Sequence, residues 1–215
     1  MKEICKKILL IFPVIIAVIC IGGCADQRME SNLVIIKFGE EEIDLNQLKF
    51  YLVINQVDYE RTYAEQYPGE NIWQKDILGT GHTLEEDVKQ SIMQEVKQMC
   101  ILLQKAEELD ITLDEQDEEE LIVLEEILKE RYSEEVLREI HSEDGVLQER
   151  LRDSMLAAKV KEVICKQNGW TSDDREERFH ALYKEWAEKA SFTIRETNWS
   201  EVHFEQGKYK VTVNE

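Results

Sequence analysis

The sequence has few basic residues for its number of acidic ones. Lys and Arg together number 26 against 46 Asp and Glu, which gives a formal net charge of −20 over 215 residues. Such a chain is repelled by nucleic-acid phosphates and by anionic lipid head groups. We therefore expect no nucleic-acid partner. Apolar residues make up 43% of the chain, enough for a folded core, which excludes a disordered acidic tail.

Catalytic and metal-binding motifs are also lacking. The sequence contains no HExxH, GxSxG, CxxC or phosphate-loop motif. Residues 107–120 are crowded with carboxylates, but they include no glycine, which an EF-hand loop needs. The histidines are scattered: His82, His141, His180 and His203. We expect no cofactor and no metal ion, and these absences argue against an enzyme.

No apolar run near the N-terminus is long enough for a transmembrane helix. A bilayer needs about 20 apolar residues, whereas the run at residues 8–21 is shorter and contains Pro13. Lysines precede this run and small residues follow it, at Gly22 and Gly23. A basic start, a short apolar core and small residues are the layout of a secretory signal.

The end of this segment, IGGC, resembles the lipobox of bacterial lipoproteins. In that family the cysteine is diacylated and becomes the mature N-terminus. The resemblance implies a signal peptide at residues 1–23, lipidation of Cys24 and a lipidated tether at residues 24–32. An ordinary signal peptide cleaved nearby is the alternative.

Few cysteines remain for the folded part of the chain. Cys100 and Cys165 both lie in helical patterns beside apolar residues, where cysteine behaves as a small hydrophobe. We expect two buried thiols. A disulfide between them stays open, because an extracytoplasmic location permits one.

Residues 83–110 form the helix around which we expect the rest to pack. Thr83 and Glu86 form a capping box. Toward the end of the helix Ile101 and Leu102 would lie in water unless other helices surround them. One face carries apolar residues at steps of three and four: Leu84, Val88, Ile92, Val96, Met99, Leu103 and Ala106.

Similar spacing predicts further helices at residues 44–67, 112–132, 133–140, 146–166 and about 173–190. Asp44 with Gln47 caps the first of these, and Thr112 with Glu115 caps the second. The second is expected to bury Leu121, Leu124, Leu128 and Tyr132.

Short β segments are predicted at both ends of this helical stretch. Residues 33–38 and 41–43 form strands around a turn, and residues 191–196 alternate as a strand. Residues 202–204 and 208–213 resemble a terminal hairpin. We expect residues 33–38 to pair with residues 192–195. The fold class is thus mainly α, with about five or six helices and short β segments from both chain ends pairing.

The loop at residues 68–82 carries unusually many large apolar groups, among them Ile72 and Trp73. Surface loops rarely carry such groups without a use. Either Trp73 folds back as a lid on the two neighbouring helices, or the loop presents these groups for binding.

Three stretches carry a further resemblance: FGEEEIDLNQL, KAEELDITLDEQDEEEL and YKEWAEKASFTIR. Their order resembles the chaperone domain of the SurA and PrsA foldases, which is built from both ends of the chain. The resemblance covers most of residues 33–126 and 175–196. It implies a chaperone domain at residues 33–199 with a hairpin or tail at 200–215. Family isomerases insert a parvulin domain before the last helix, and here only residues 165–174 occupy that place.

PrsA members are lipoproteins outside Gram-positive membranes, which agrees with Cys24. The resemblance implies a lipid-anchored chaperone on the outer face of the bacterial cytoplasmic membrane, binding unfolded or partly folded secreted polypeptides in a groove between helices. An acidic rim would favour basic clients. Expected client contacts are Tyr59, Tyr63, Tyr67, Ile72 and Trp73. Two alternatives stay open: an isomerase-related foldase acting with a partner, and a structural adaptor for one envelope protein.

Overall fold

The computed structural model describes residues 33–140, 145–170, 174–208 and 211–213. The expected signal peptide, Cys24 and the tether lie outside the described residues. The elements, in chain order, are β1 (Val34–Phe38), β2 (Glu41–Asp44), α1 (Leu45–Tyr63), α2 (Leu84–Glu108), α3 (Glu115–Arg131), α4 (Glu134–Glu139), α5 (Val146–Gln167), α6 (Arg175–Lys189), β3 (Phe192–Ile194), α7 (Glu196–Ser200), β4 (Val202–Phe204) and β5 (Val211–Val213).

The prediction of a mainly helical chain with β segments at its two ends is confirmed. The described residues form seven helices, one more than the apolar spacing predicts, because α7 adds a turn between β3 and β4. α7 has only 5 residues, too few to show a period. Among the helices of the described residues, none combines the length and the apolar content needed to cross a membrane.

A three-stranded antiparallel sheet in the order β2-β1-β3 joins the two ends of the helical stretch. Ile36 pairs with Ile194 and Phe38 with Phe192, so the predicted pairing of the ends is confirmed. The β1–β2 turn places Gly39 at φ 60°, a conformation that glycine adopts without strain.

Two of the three predicted capping boxes are confirmed, and the third is wrong. The Asp44–Gln47 box begins α1 and the Thr83–Glu86 box begins α2. α3 is capped by Asp114 instead of Thr112, because the Asp114 carboxylate accepts from the backbone N–H groups of Gln116 and Asp117. A carboxylate at the N-cap also meets the positive end of the helix dipole, which a hydroxyl does not match.

α2 passes through both apolar clusters of the protein. Its first half packs in a cluster with α1, the sheet and the loop before α2. Its second half packs with α5 and α6. Ile101 and Leu102 are both buried, as predicted. The two cysteines of the described residues are free thiols, with Cys165 buried and Cys100 half-buried.

α3 departs from its predicted burial. Leu121 is the buried residue of this helix, and Leu128 and Tyr132 reach the first cluster. Leu124, predicted to face inward, is 40% exposed. The inward-facing strip is narrow because α3 lies mainly against one helix, α5.

The terminal hairpin is confirmed and belongs to the core. Val202 pairs with Val213 and Phe204 with Val211 in antiparallel register. Val202 and Phe204 are both buried in the cluster around α1. The end of the chain thus helps to hold the first half of the protein.

Candidate functional site

An open groove of about 610 Å³ lies where α1, α2, the start of α5 and the β1–β2 turn meet. Its volume is in the range of sites that bind ligands or short peptide segments. The floor is apolar: Leu48, Tyr51, Val96, Met99, Cys100 and Leu103.

The floor exists because the apolar stripe of α2 continues beyond the point where α1 covers it. Val96 is buried, whereas Met99 and Leu103 on the following turns are only half-buried. The spacing of three and four residues keeps these side chains on one face. Apolar surface that was expected inside the core therefore remains open to a bound molecule.

The rim of the groove is acidic. Its carboxylates come from the β1–β2 turn, the end of α2 and the start of α5: Glu40, Glu41, Glu107, Glu149 and Asp153. The one basic residue of the lining, Arg150, lies between two of them. Its Nη1 donates to Asp153 Oδ2 at 3.0 Å and its Nη2 donates to Glu149 Oε1 at 3.0 Å. The remaining carboxylates give the groove a negative potential, which attracts cations.

Burial raises the pKa values of three side chains in the groove walls. It raises the pKa of Tyr51 to about 12, although the charge of Arg150 opposes this. It also raises the pKa of the Cys100 thiol to about 11. Burial raises the pKa of the Asp153 carboxyl as well, although the positive charge of Arg150 lowers it. Tyr51 and Cys100 are thus neutral near pH 7. A protonated thiol is a poor nucleophile, so this arrangement suits non-covalent binding.

The structure brings the predicted client contacts together at the other end of α1. The rings of Tyr59 and Tyr63 stack at 6.3 Å, and Tyr67 meets Tyr63 edge-on at 6.3 Å. Trp73 lies 6.4 Å from Tyr59. The three tyrosines are half-buried, so they form an aromatic ladder with one side in solvent.

Ile72 and Trp73 are not on the surface. Their exposed fractions are 2% and 0%, so neither can contact a client in this conformation. The Trp73 ring lies 4.3 Å from that of Phe204, and its Nε1 donates to Glu60 Oε1 at 2.9 Å. Trp73 therefore folds back as a lid on α1 and α2, which is one of the two interpretations of the loop given above.

Sequence reasoning missed Met99, Cys100 and Leu103 as a binding floor. One feature of the sequence could have indicated this floor: the apolar face of α2 is longer than the neighbouring helix α1 can cover. An acidic rim was expected, but its residues could not be named from the sequence, because Glu40 and Glu149 come from distant parts of the chain.

Within the described residues, no three His, Cys, Asp or Glu side chains are grouped as they would be around a metal ion. The described residues thus offer an apolar, acid-rimmed groove and an aromatic ladder. Comparisons of the chain with protein-family models, with curated proteins and with solved structures found no match.

Proposed function

We propose that this protein is a lipid-anchored, extracytoplasmic chaperone-like lipoprotein that holds unfolded or partly folded secreted polypeptides. The observation that carries the proposal is the groove, whose apolar floor of Met99, Cys100 and Leu103 is open and whose rim is acidic. Lipidation at Cys24 would keep this groove close to the outer face of the membrane, since two acyl chains anchor a protein stably.

Weak and general binding follows from the shape of the groove. It is open to solvent, and its floor includes the flexible side chain of Met99 and the small side chain of Cys100. Methionine adapts to irregular apolar surfaces, which suits a site that meets many sequences. The aromatic ladder of Tyr59, Tyr63 and Tyr67 adds a second surface of the same kind about two helical turns further along α1.

Client choice follows from the rim. Five carboxylates against one guanidinium line the groove, so an extended segment with Lys or Arg between apolar residues fits both floor and rim. Complementary charge speeds association and sets preference more than it adds affinity. Binding is therefore expected to weaken for acidic clients and at high salt.

Holding without isomerisation is the activity we propose. α5 ends at Gln167 and α6 begins at Arg175. The isomerases that this chain resembles carry a parvulin domain before their last helix, and the segment between α5 and α6 is too short to contain one.

The test is aggregation of a reduced, denatured secreted protein with and without the purified protein. The variant Leu103→Ser removes apolar surface from the groove floor. Leu109→Ser is its matched control, because Leu109 is an exposed leucine next to the end of α2 and outside the groove lining. We expect suppression by the wild type, weaker suppression by Leu103→Ser and unchanged suppression by Leu109→Ser. Equal suppression by both variants would show that the groove floor does not bind the client.

Cys100 provides a readout at the groove itself. In residues 25–215 with Cys165→Ser, Cys100 is the one cysteine left, so alkylation at alkaline pH reports access to its thiol. A client seated on the floor should slow this reaction, and a basic client should slow it more than an acidic one of equal length. Unchanged alkylation in the presence of a client that is protected from aggregation would place the binding elsewhere.

A further inference from the structure

α3 carries the largest concentration of exposed apolar side chains in the part of the chain that the structure describes. Six large apolar residues are exposed, and four of them lie within one stretch of α3. We call three of these the outer face of α3: Val123 (55% exposed), Leu124 (40%) and Ile127 (52%). The fourth, Ile122 (62%), lies apart from them, because it lines a recess with Leu121 against α5. Scattered exposed apolar residues need no explanation, whereas a contiguous group of this kind marks an interaction site.

The spacing of these residues makes a stripe. Val123 lies one residue before Leu124 and four before Ile127, and Leu124 lies three before Ile127, which places the three on adjoining positions of one side of the helix. Leu121 and Leu128 adjoin the stripe on the side of Leu124 and face the rest of the protein. α3 thus has one broad apolar sector, and only the part at Leu121 and Leu128 is covered.

A row of carboxylates runs beside the stripe. Glu119, Glu126 and Glu130 share one side of α3 by their spacing, and all three are exposed. Among the described residues none of the three forms an ion pair. The basic residues of α3 are engaged within the protein, since Lys129 pairs with Glu125 and both Asp58 oxygens accept from Arg131 at 2.9 Å.

We propose that the outer face of α3 docks a basic amphipathic helix of a partner protein. α3 is a continuous helix of 17 residues, and a second helix laid along it can place apolar residues at i, i+3, i+4 and i+7 on Val123, Leu124 and Ile127. Lys or Arg on one flank of that helix meets the carboxylate row. This charge match identifies the partner as basic.

The same charge argues against other occupants of this face. A second copy of the chain would bring its own acidic row and a formal charge of −20, which opposes self-association. Anionic lipid head groups are repelled for the same reason.

The proposal goes beyond the holding of clients, because the described residues that line the groove include none from α3. A client in the groove and a partner helix on α3 can be bound at the same time. The proposed surface would thus attach a chaperone to one fixed protein of the envelope.

The test uses a synthetic peptide of about five helical turns, with leucines at helical spacing and lysines along one flank. Its affinity is measured by fluorescence anisotropy at low and high salt. We expect micromolar binding to the wild type, at least tenfold weaker binding to Val123→Ser/Ile127→Ser, and a flatter salt dependence for Glu119→Gln/Glu126→Gln/Glu130→Gln. Leu109→Ser is the control and should bind the peptide as the wild type does.

Several outcomes would overturn the proposal. One is equal binding of the peptide by the wild type and by Val123→Ser/Ile127→Ser. Another is equal binding of a second peptide with glutamates in place of the lysines. Sedimentation of the wild type as a dimer that the double variant abolishes would assign the face to a second copy. Binding of zwitterionic vesicles through the same residues would assign it to a membrane surface. The substituted positions are exposed, so both variants should keep the helical content of the wild type.

Discussion

Helices usually bury their apolar residues and loops usually expose theirs. The loop between α1 and α2 and the helix α3 show the opposite. Trp73 in the loop is buried, whereas Ile127 in the helix is exposed. The loop has no regular backbone hydrogen bonding and still places Ile72 and Trp73 in the core, although most of its other residues are exposed. The helix is regular and keeps one apolar side in solvent. Burial here depends on which neighbours surround a segment, not on its own regularity.

Ile72 and Trp73 of the loop can be buried because other elements supply hydrogen-bond partners for the backbone groups around them. The carbonyl of Trp73 accepts from Glu85 N at 3.1 Å, and that of Lys75 accepts from Leu84 N at 2.7 Å. On the other side Ile72 N donates to Gln206 Oε1 at 3.1 Å. Buried backbone groups need such partners, and here the start of α2 and the terminal hairpin supply them.

α3 needs no such help, because a helix satisfies its own backbone groups. Exposed ion pairs to α5 hold it in place: Glu118 accepts from Arg152 Nη2 at 2.6 Å, and Asp114 from Lys159 Nζ at 2.7 Å. Exposed pairs of this kind contribute little each. α3 is thus free to present an apolar side for another purpose.

Trp73→Ala is the strongest test of this comparison. It removes a fully buried ring that packs on Phe204 and Tyr59, and such truncations lower the free energy of unfolding by about 3–5 kcal/mol. Urea unfolding followed by circular dichroism measures the change. Trp186→Ala is the control, since Trp186 is only half-buried in the second cluster and should cost less. A loss no larger than that of the control would mean that the loop is not part of the core.

Glu60→Ala tests the polar contacts that hold the loop. One Glu60 oxygen accepts from Trp73 Nε1 and Gln56 Nε2, and the other accepts from Gly207 N at 2.9 Å. Leaving such buried donors without a partner costs about 1–3 kcal/mol. Glu65, which is exposed just beyond α1, provides Glu65→Ala as the matched control, with no measurable change expected. Equal stability of the two variants would contradict the role of Glu60.

Asp114→Ala should have a smaller effect, confined to α3. The hydrogen bond from Lys159, followed by the backbone bond from Asp117, holds the pKa of Asp114 below its ordinary value of 3.8. Because the folded pKa is lowered, this stabilisation is present above about pH 3.8 and is lost as the pH falls through the folded pKa. Hydrogen exchange should be faster in the first turn of α3 in the variant at neutral pH, and in the wild type only in acid. Unchanged exchange in the variant would show that the cap does not hold the helix.

Apolar spacing and caps in the sequence were enough to predict most elements of the fold. Leu84, Val88 and Ile92 place the buried face of α2, and Asp44 and Thr83 place the starts of two helices. Burial of α3 was not predictable in the same way, because its sequence has apolar residues on several sides and the spacing does not say which side meets α5. The groove was not predictable either. Leu103 belongs to the apolar face of α2, and the sequence does not show how far the neighbouring helices cover that face.

Ile127→Ser should have the smallest effect on stability of the changes considered. About half of this residue already lies in solvent (52% exposed, against 9% for Leu121), so serine removes less buried area there, and surface substitutions of this kind stay within about 0.5 kcal/mol. Leu121→Ser on the covered side of the same helix is the matched comparison and should lower the free energy of unfolding clearly more, because Leu121 is buried against the rest of the protein. Urea unfolding of both variants gives the difference directly. If Ile127→Ser cost as much as Leu121→Ser, the outer side of α3 would be covered within the protein itself, and the contrast with the buried loop would disappear. If it cost nothing, the apolar character of Ile127 serves no purpose in folding, which is the condition that a docking surface must meet.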